Sequence, residues 1–113
     1  MMKSTVLFNS RSLMNKLTEF KYFISTNNFH LIMVTETWIK DESIIISEIT
    51  LNGKYEAIFV NKQYRNGGGC LILVLKCIPF RVGYNYTKFN CEIINLTLCK
   101  KFSTDYLSLY TGL

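Results

Sequence analysis

Apolar residues at the start of the chain follow the spacing of a strand, a helix and a second strand. Residues 5–8 are a short apolar run that ends at Asn9. Four apolar side chains then recur at helical spacing with polar positions between them, namely Leu13, Leu17, Phe20 and Ile24. Residues 30–35 form a nearly continuous apolar run, which is typical of a strand buried on both faces. This order predicts a β-α-β unit.

The link between the two strands is long enough for a crossover helix, for which Ser10 and Ser12 are both candidate N-caps. Two strands joined in this way normally run parallel, with a right-handed crossover. The carboxyl ends of parallel strands meet at one edge of the sheet, where ligands of open α/β sheets usually bind. We therefore expect Asn9 and Glu36 to lie together at that edge and His30 to lie at the opposite one.

The rest of the chain is rich in strand patterns, which makes the predicted class α+β. Residues 51–53 predict a turn, and the glycine run that ends at Gly69 leads into a strand rather than a helix. That run therefore predicts a hairpin loop and not a phosphate-binding loop. The predicted strands, of which the second is central, are residues 55–61, 70–75, 80–86, 92–99 and 106–110.

Composition narrows the class of protein. With 113 residues, 49% of them hydrophobic and 19% charged, the chain is one domain at most and is not a disordered tail. Its apolar runs are far shorter than the roughly 20 residues of a membrane helix, and its first apolar run is too short for a secretory signal. We therefore predict an intracellular protein without a membrane partner, whose four cysteines are free thiols rather than disulfides or metal ligands.

The net charge of +5 comes from an excess of basic residues between positions 54 and 101. Such an excess favours a polyanionic partner, of which nucleic acid is the first candidate. An ordinary solvated basic surface would give the same composition.

Glu36 is the strongest candidate for chemistry. A carboxylate that ends a buried strand is unfavourable unless it is paired or binds a cation. Mg²⁺ is commonly held by one or two carboxylates, with water and substrate phosphate as its other ligands, and Asn9 would add a neutral amide beside it. An ion pair with Arg11, which follows the neighbouring strand, is the alternative, and the two roles are compatible.

Three motifs in this order resemble the endonuclease domain of non-LTR retrotransposons. They are the run from Asn9 to Leu17, the tetrapeptide Thr35-Glu36-Thr37-Trp38, and three glycines before an apolar strand. That domain belongs to the endonuclease/exonuclease/phosphatase superfamily with the DNase-I-like fold. The resemblance implies that residues 1–113 are the first half of a four-layer α/β/β/α sandwich. It also implies Mg²⁺-dependent nicking of DNA, which primes reverse transcription, without a small-molecule cofactor.

The resemblance implies roles for individual residues. Asn9 matches an asparagine that positions the phosphate or the nucleophile, and Glu36 matches the metal-binding glutamate. Tyr110 matches a tyrosine that contacts the scissile phosphate, and Glu92 matches a glutamate that supports the site. From the strand pattern, the Tyr110 hydroxyl would reach a phosphate if the last strand shared a sheet with the strand that ends at Glu36.

The sequence also departs from the family pattern. Asn61 and Lys62 replace Asp-Arg, His30 replaces an aspartate, and Thr111 follows Tyr110 where the family has Arg-Pro-Pro. The later Gly-Asp-Phe-Asn and Ser-Asp-His segments, which supply the general base and a histidine, do not occur. We therefore predict that the chain alone is inactive as a nuclease. A half-domain would also expose a sheet face and strand edges, which predicts self-association.

Two other interpretations stay open. The first is a small basic module that binds DNA or RNA without cleaving it, with Lys62 and Arg65 among its binding residues. Aromatic side chains interleave with this basic stretch, as base stacking requires, although such positions are also typical of half-buried strands. The second is a retroelement remnant without a function. Localisation would be nuclear if the protein acts on genomic DNA.

Overall fold

The computed structural model describes residues 5–39, 46–60, 68–88, 91–99 and 104–111, with the backbone alone described from residue 84 onward. Within these ranges, seven strands and two α-helices make it an α+β chain. In chain order they are β1 (Thr5–Asn9), a 3₁₀ turn (Met14–Lys16), α1 (Leu17–Thr26), β2 (Leu31–Thr35), α2 (Ile46–Ile49), β3 (Tyr55–Val60), β4 (Cys70–Leu75), β5 (Phe80–Lys88), β6 (Cys91–Cys99) and β7 (Thr104–Thr111).

The predicted β-α-β unit is confirmed. Strand β1 runs parallel to β2, in a register that pairs Asn9 with Thr35. Helix α1 buries Phe20 and Ile24, the two side chains that its apolar spacing places on one face. The prediction of a serine N-cap is wrong, because α1 begins at Leu17 after the 3₁₀ turn and has no side-chain cap bond.

The first sheet has the strand order β1-β2-β4-β3, in which β4 is antiparallel to both of its neighbours. The prediction that residues 70–75 form a central strand is confirmed. Leu71 and Leu73 pack in the cluster that contains the α1 side chains, whereas Ile72 and Val74 belong to a second cluster. All four are 0% exposed, so the predicted exposed sheet face is wrong for β4. Self-association stays a prediction.

The core lies mainly between the first sheet and α1. The ring of Phe8 on β1 meets that of Phe20 edge-on, with centroids 5.8 Å apart. Tyr55 on β3 is also buried, and its hydroxyl donates to the carbonyl of Phe29 at 2.8 Å. Burial raises the pKa of Tyr55 above its ordinary value of 10.0. This bond ties the edge strand β3 to the segment that precedes β2.

Strands β5, β6 and β7 form a separate antiparallel sheet, in which Ile93 pairs with Tyr110 and Glu92 with Thr111. Tyr110 therefore does not share a sheet with the strand that ends at Glu36, and that premise is wrong. The described helices are all too short or too polar to span a bilayer.

The connection from β2 to β3 contains a short helix, α2, that the sequence pattern did not predict. The predicted turn follows it, and Leu51, Asn52 and Gly53 all have positive φ there. Among the cysteines whose side chains are described, Cys70 is a buried thiol and Cys77 is an exposed one.

Candidate active site

The loops that follow β1 and β2 are bonded to each other at the carboxyl edge of the parallel pair. The amide of Ser10 donates to the Thr35 carbonyl at 3.0 Å, and the amide of Ser12 donates to the Glu36 carbonyl at 2.9 Å. One step further, the amide of Leu13 donates to the Thr37 carbonyl at 2.9 Å. The parallel pairing thus continues past the strand ends, and it places the residues after Asn9 beside Glu36, as predicted.

A third segment, which leads into β4, is hydrogen-bonded to the loop after β2 at the same edge. The amide of Thr37 donates to the Gly69 carbonyl at 3.2 Å, and that of Trp38 donates to the Gly68 carbonyl at 2.9 Å. Both glycines have positive φ, 74° for Gly68 and 84° for Gly69. The three sequence motifs therefore converge at one place, because each follows or precedes a strand of the first sheet.

Ser10 joins the loops with its side chain as well as its backbone. Its hydroxyl is 0% exposed and lies 2.9 Å from the Glu36 carbonyl and 3.2 Å from the Thr35 carbonyl, to which it can donate. The ammonium of Lys16 donates to the Ser10 carbonyl at 2.6 Å. One of the two hydroxyls expected to cap α1 is thus used across the strands.

Two N–H groups of described residues donate to the carboxylate of Glu36. The indole Nε1 of Trp38 donates to Oε2 at 2.8 Å, and the amide of Gly68 donates to the same oxygen at 2.9 Å. Hydrogen bonds to a carboxylate favour its charged form and are stronger than bonds between neutral groups. Glu36 is half-buried, so part of its side chain is open to water at this edge.

Strained backbone is concentrated at this edge. Four non-glycine residues in the two loops have positive φ, which is uncommon outside glycine, namely Arg11, Ser12, Glu36 and Trp38. Such conformations persist only where the surrounding structure imposes them, and they cluster at functional sites. Three of these four residues, Ser12, Glu36 and Trp38, take part in the cross-loop hydrogen bonds described above.

The other predicted site residues differ in how far the structure describes them. Asn9 and Arg11 are exposed and flank Ser10 at the site edge. For Glu92 and Tyr110 only the backbone is described, on β6 and β7 of the second sheet. Two predicted nucleic-acid-binding residues, Lys62 and Arg65, lie outside the described residues. His30 precedes the first residue of β2, at the end of the sheet away from Glu36, as predicted.

The donor set at this edge fits a hard cation such as Mg²⁺ in part. Glu36 supplies one oriented carboxylate, and Mg²⁺ needs only one or two, since water and phosphate oxygens complete its octahedron. Within the described ranges, no group of three or more His, Cys, Asp or Glu residues lies together. The described residues are therefore compatible with an open cation site that shares its ion with a substrate, and not with a closed protein cage.

Sequence reasoning missed three contributions to this site. The motifs contain Trp38 and Gly68 but do not predict their hydrogen bonds to the Glu36 carboxylate. The sequence offers Ser10 as one of two candidate helix caps, whereas its hydroxyl lies at the strand edge. The sequence signal for the Trp38 contact was the tetrapeptide around Glu36. Here a tryptophan follows a glutamate by two residues, and the indole contacts the carboxylate because the backbone between them takes positive φ.

Neither a protein-family model nor a curated protein matches the sequence. Solved structures do match the fold. The truncated TDP2 of Caenorhabditis elegans matches with a TM-score of 0.69 at 17% identity, over 92% of this chain and 43% of that chain. The APE2 catalytic domain of Xenopus laevis matches with a TM-score of 0.58 at 10% identity, over 96% of this chain and 44% of that one. An AP endonuclease from Archaeoglobus fulgidus matches with a TM-score of 0.55 at 16% identity, over 71% of this chain and 31% of that one.

The chain spans less than half the length of each of these structures. At identities of 10–17% the likeness shows a shared fold and nothing finer. The fold part of the predicted resemblance is confirmed. This α+β chain shares with these structures the part of the DNase-I-like fold that it spans.

Proposed function

We propose that this chain is part of a Mg²⁺-dependent DNA endonuclease domain of the non-LTR retrotransposon type. The observation that carries the proposal is the Glu36 carboxylate, which Trp38 and Gly68 fix at the carboxyl edge of β1 and β2. The fold shared with AP endonucleases supports the same function. So does the order of the three motifs. The four-layer α/β/β/α arrangement, which would contain both sheets, belongs to this proposal.

Each residue at the edge has a chemical role in the proposal. Glu36 would hold the cation, which when bound offsets the negative charge that develops on the phosphate during hydrolysis. Asn9 is exposed at the same edge, and its neutral amide would donate to a phosphate oxygen without adding charge. Arg11, also exposed, adds positive charge that attracts the DNA backbone.

The roles of four more residues rest on sequence alone. Tyr110 would contact the scissile phosphate, and Glu92 would support the site. Lys62 and Arg65 would bind the DNA backbone through charge. A protein that acts in this way on genomic DNA would have to enter the nucleus.

We also propose that the site in this chain is incomplete. The chain spans 43% of the matched TDP2 structure, and the family segments that supply the general base and a histidine do not occur in its sequence. Phosphoryl transfer depends on several positioned groups acting together. We therefore expect cation binding through Glu36 with little or no strand cleavage by this chain alone.

The test measures cation binding and cleavage on the same samples. Mn²⁺ replaces Mg²⁺ as a probe because free Mn²⁺ can be counted by electron paramagnetic resonance. Glu36→Gln keeps the size of the side chain and removes its charge, and the matched control is Glu56→Gln, an exposed carboxylate on β3. We expect Mn²⁺ to bind the wild type and the control and not Glu36→Gln. Plasmid nicking in Mg²⁺ should stay at the EDTA background.

Other outcomes have defined meanings. Mg²⁺-dependent nicking that Glu36→Gln lacks would support the nuclease and overturn the incomplete site. Equal Mn²⁺ binding by wild type and Glu36→Gln would overturn the metal role of Glu36. Salt-sensitive DNA binding that ignores Glu36→Gln, without any Mn²⁺ binding, would indicate the basic binding module instead.

A further inference from the structure

Trp38 is the single tryptophan of the chain, and its side chain turns back onto the carboxylate two residues before it. The turn requires a φ of 57°, which is uncommon for a bulky residue. Two backbone hydrogen bonds hold this conformation. The Trp38 amide donates to the Gly68 carbonyl at 2.9 Å, and the Thr37 amide donates to the Gly69 carbonyl. The indole is therefore locked to Glu36 by backbone contacts on the facing loop.

Gly68 contributes to the same arrangement from the other side. Its carbonyl accepts the Trp38 amide, while its own amide donates to Glu36 Oε2 at 2.9 Å. Its φ of 74° suits glycine. A single residue thus contacts both the carboxylate and the tryptophan that orients it, so the three groups form one unit.

Burial of the ring does not explain the position of Trp38. The residue is 44% exposed, whereas the side chains that hold the core together are 0–7% exposed. The ring donates a hydrogen bond from Nε1 to the Glu36 carboxylate. Partners that orient a metal-ligating side chain typically change metal affinity by about 10–100-fold.

We propose that Trp38 is a positioning residue, whose indole N–H acts with the Gly68 amide to orient the Glu36 carboxylate toward a divalent cation. The inference rests on the proposed function, because the orientation matters only if Glu36 holds a cation. It assigns Trp38 a role in affinity for the ion and not in the stability of the fold.

The first measurement is Mn²⁺ affinity of Trp38→Phe, which keeps an aromatic ring and removes the N–H donor. The control is Tyr22→Phe, which removes a polar group from a residue that is 71% exposed on α1. We expect Trp38→Phe to bind Mn²⁺ about tenfold more weakly than the wild type, with an unchanged urea midpoint, and Tyr22→Phe to match the wild type. Wild-type affinity in a folded Trp38→Phe sample would overturn the inference and leave the role of Glu36 intact.

A second measurement needs no Trp38 variant, so it holds even if Trp38→Phe fails to fold. In a ¹⁵N-labelled sample the single indole N–H gives one resonance that needs no further assignment. We expect that resonance to shift in Glu36→Gln without metal, and to broaden with Mn²⁺ in the wild type only. An indole resonance that is identical in wild type and Glu36→Gln would show that the bond is absent in solution, which refutes the inference. Failure of Mn²⁺ to bind the wild type at all would instead overturn the proposed function.

Discussion

Replacing Ser10 by alanine tests whether its buried hydroxyl joins the two loops of the candidate site. The hydroxyl has one proton and lies within hydrogen-bonding distance of two carbonyls, at 2.9 Å from Glu36 and 3.2 Å from Thr35. Each of these carbonyls has a second donor, the amide of Ser12 for Glu36 and the amide of Ser10 itself for Thr35. Ser10→Ala therefore removes one hydrogen bond and leaves neither acceptor without a partner.

This geometry sets the expected magnitude. A typical buried hydrogen bond contributes about 1 kcal/mol net to stability, whereas a stranded buried polar group costs about 1–3 kcal/mol. Because no group is stranded, we expect Ser10→Ala to lower the free energy of unfolding by about 1 kcal/mol. For a chain of this length that corresponds to a fall of about 4 °C in the melting temperature.

The assay is urea unfolding followed by circular dichroism, with Ser25→Ala as the matched control. The Ser25 hydroxyl donates to the Tyr22 carbonyl at 2.9 Å on the exposed side of α1. Its loss should be offset by the better helix propensity of alanine, so the control should stay within about 0.5 kcal/mol of the wild type. Equal unfolding free energies for the two variants would refute the cross-loop role of Ser10.

Three further substitutions test the core and the site edge. Tyr55→Phe removes the bond to the Phe29 carbonyl and should cost about 1 kcal/mol in urea. Because burial raises the pKa of Tyr55, the wild type should lose stability as the pH rises above about 10 toward the folded-state pKa. Tyr55→Phe should lose less stability over the same range. Parallel stability profiles for the two proteins would contradict this. Phe20→Ala, at a ring that is 1% exposed, should cost about 3–5 kcal/mol by the same assay, and a loss below 1 kcal/mol would mean that α1 does not pack as described. Gly68→Ala forces alanine to a φ of 74° and should lower the urea midpoint by the equivalent of about 1–2 kcal/mol; an unchanged midpoint would mean that this φ is not required.

The candidate site shows where prediction from the sequence succeeded and where it failed. Asn9 and Glu36 were predicted at one edge because each ends an apolar run, and a helix-length link makes two strands parallel. That reasoning uses spacing alone, and the register from Thr5–Leu31 to Asn9–Thr35 confirms it. Spacing carries no information on which donor a carboxylate finds, so the bond from Gly68, 32 positions away, could not be predicted.

Helix α1 also has one feature that spacing predicts and one that it does not. Its apolar face was predictable because Phe20 and Ile24 are one turn apart, and they are buried as that spacing requires. The first residue of α1 was not predictable, because a serine suits a helix cap and a strand-edge contact equally well. The facing loop decides between them by offering two carbonyls to Ser10.

By itself, the sequence determined the β-α-β unit, the central strand β4 and the edge at which the candidate site lies. These features depend on local periodicity and on chain connectivity, which can be read from neighbouring residues. Tertiary structure alone decided that β5, β6 and β7 form their own sheet, and that Trp38 and Gly68 hold Glu36. The contacts to Glu36 depend on loops distant in sequence and on backbone conformations that only such contacts can impose. The second sheet pairs consecutive strands, and periodicity does not tell which sheet a strand joins.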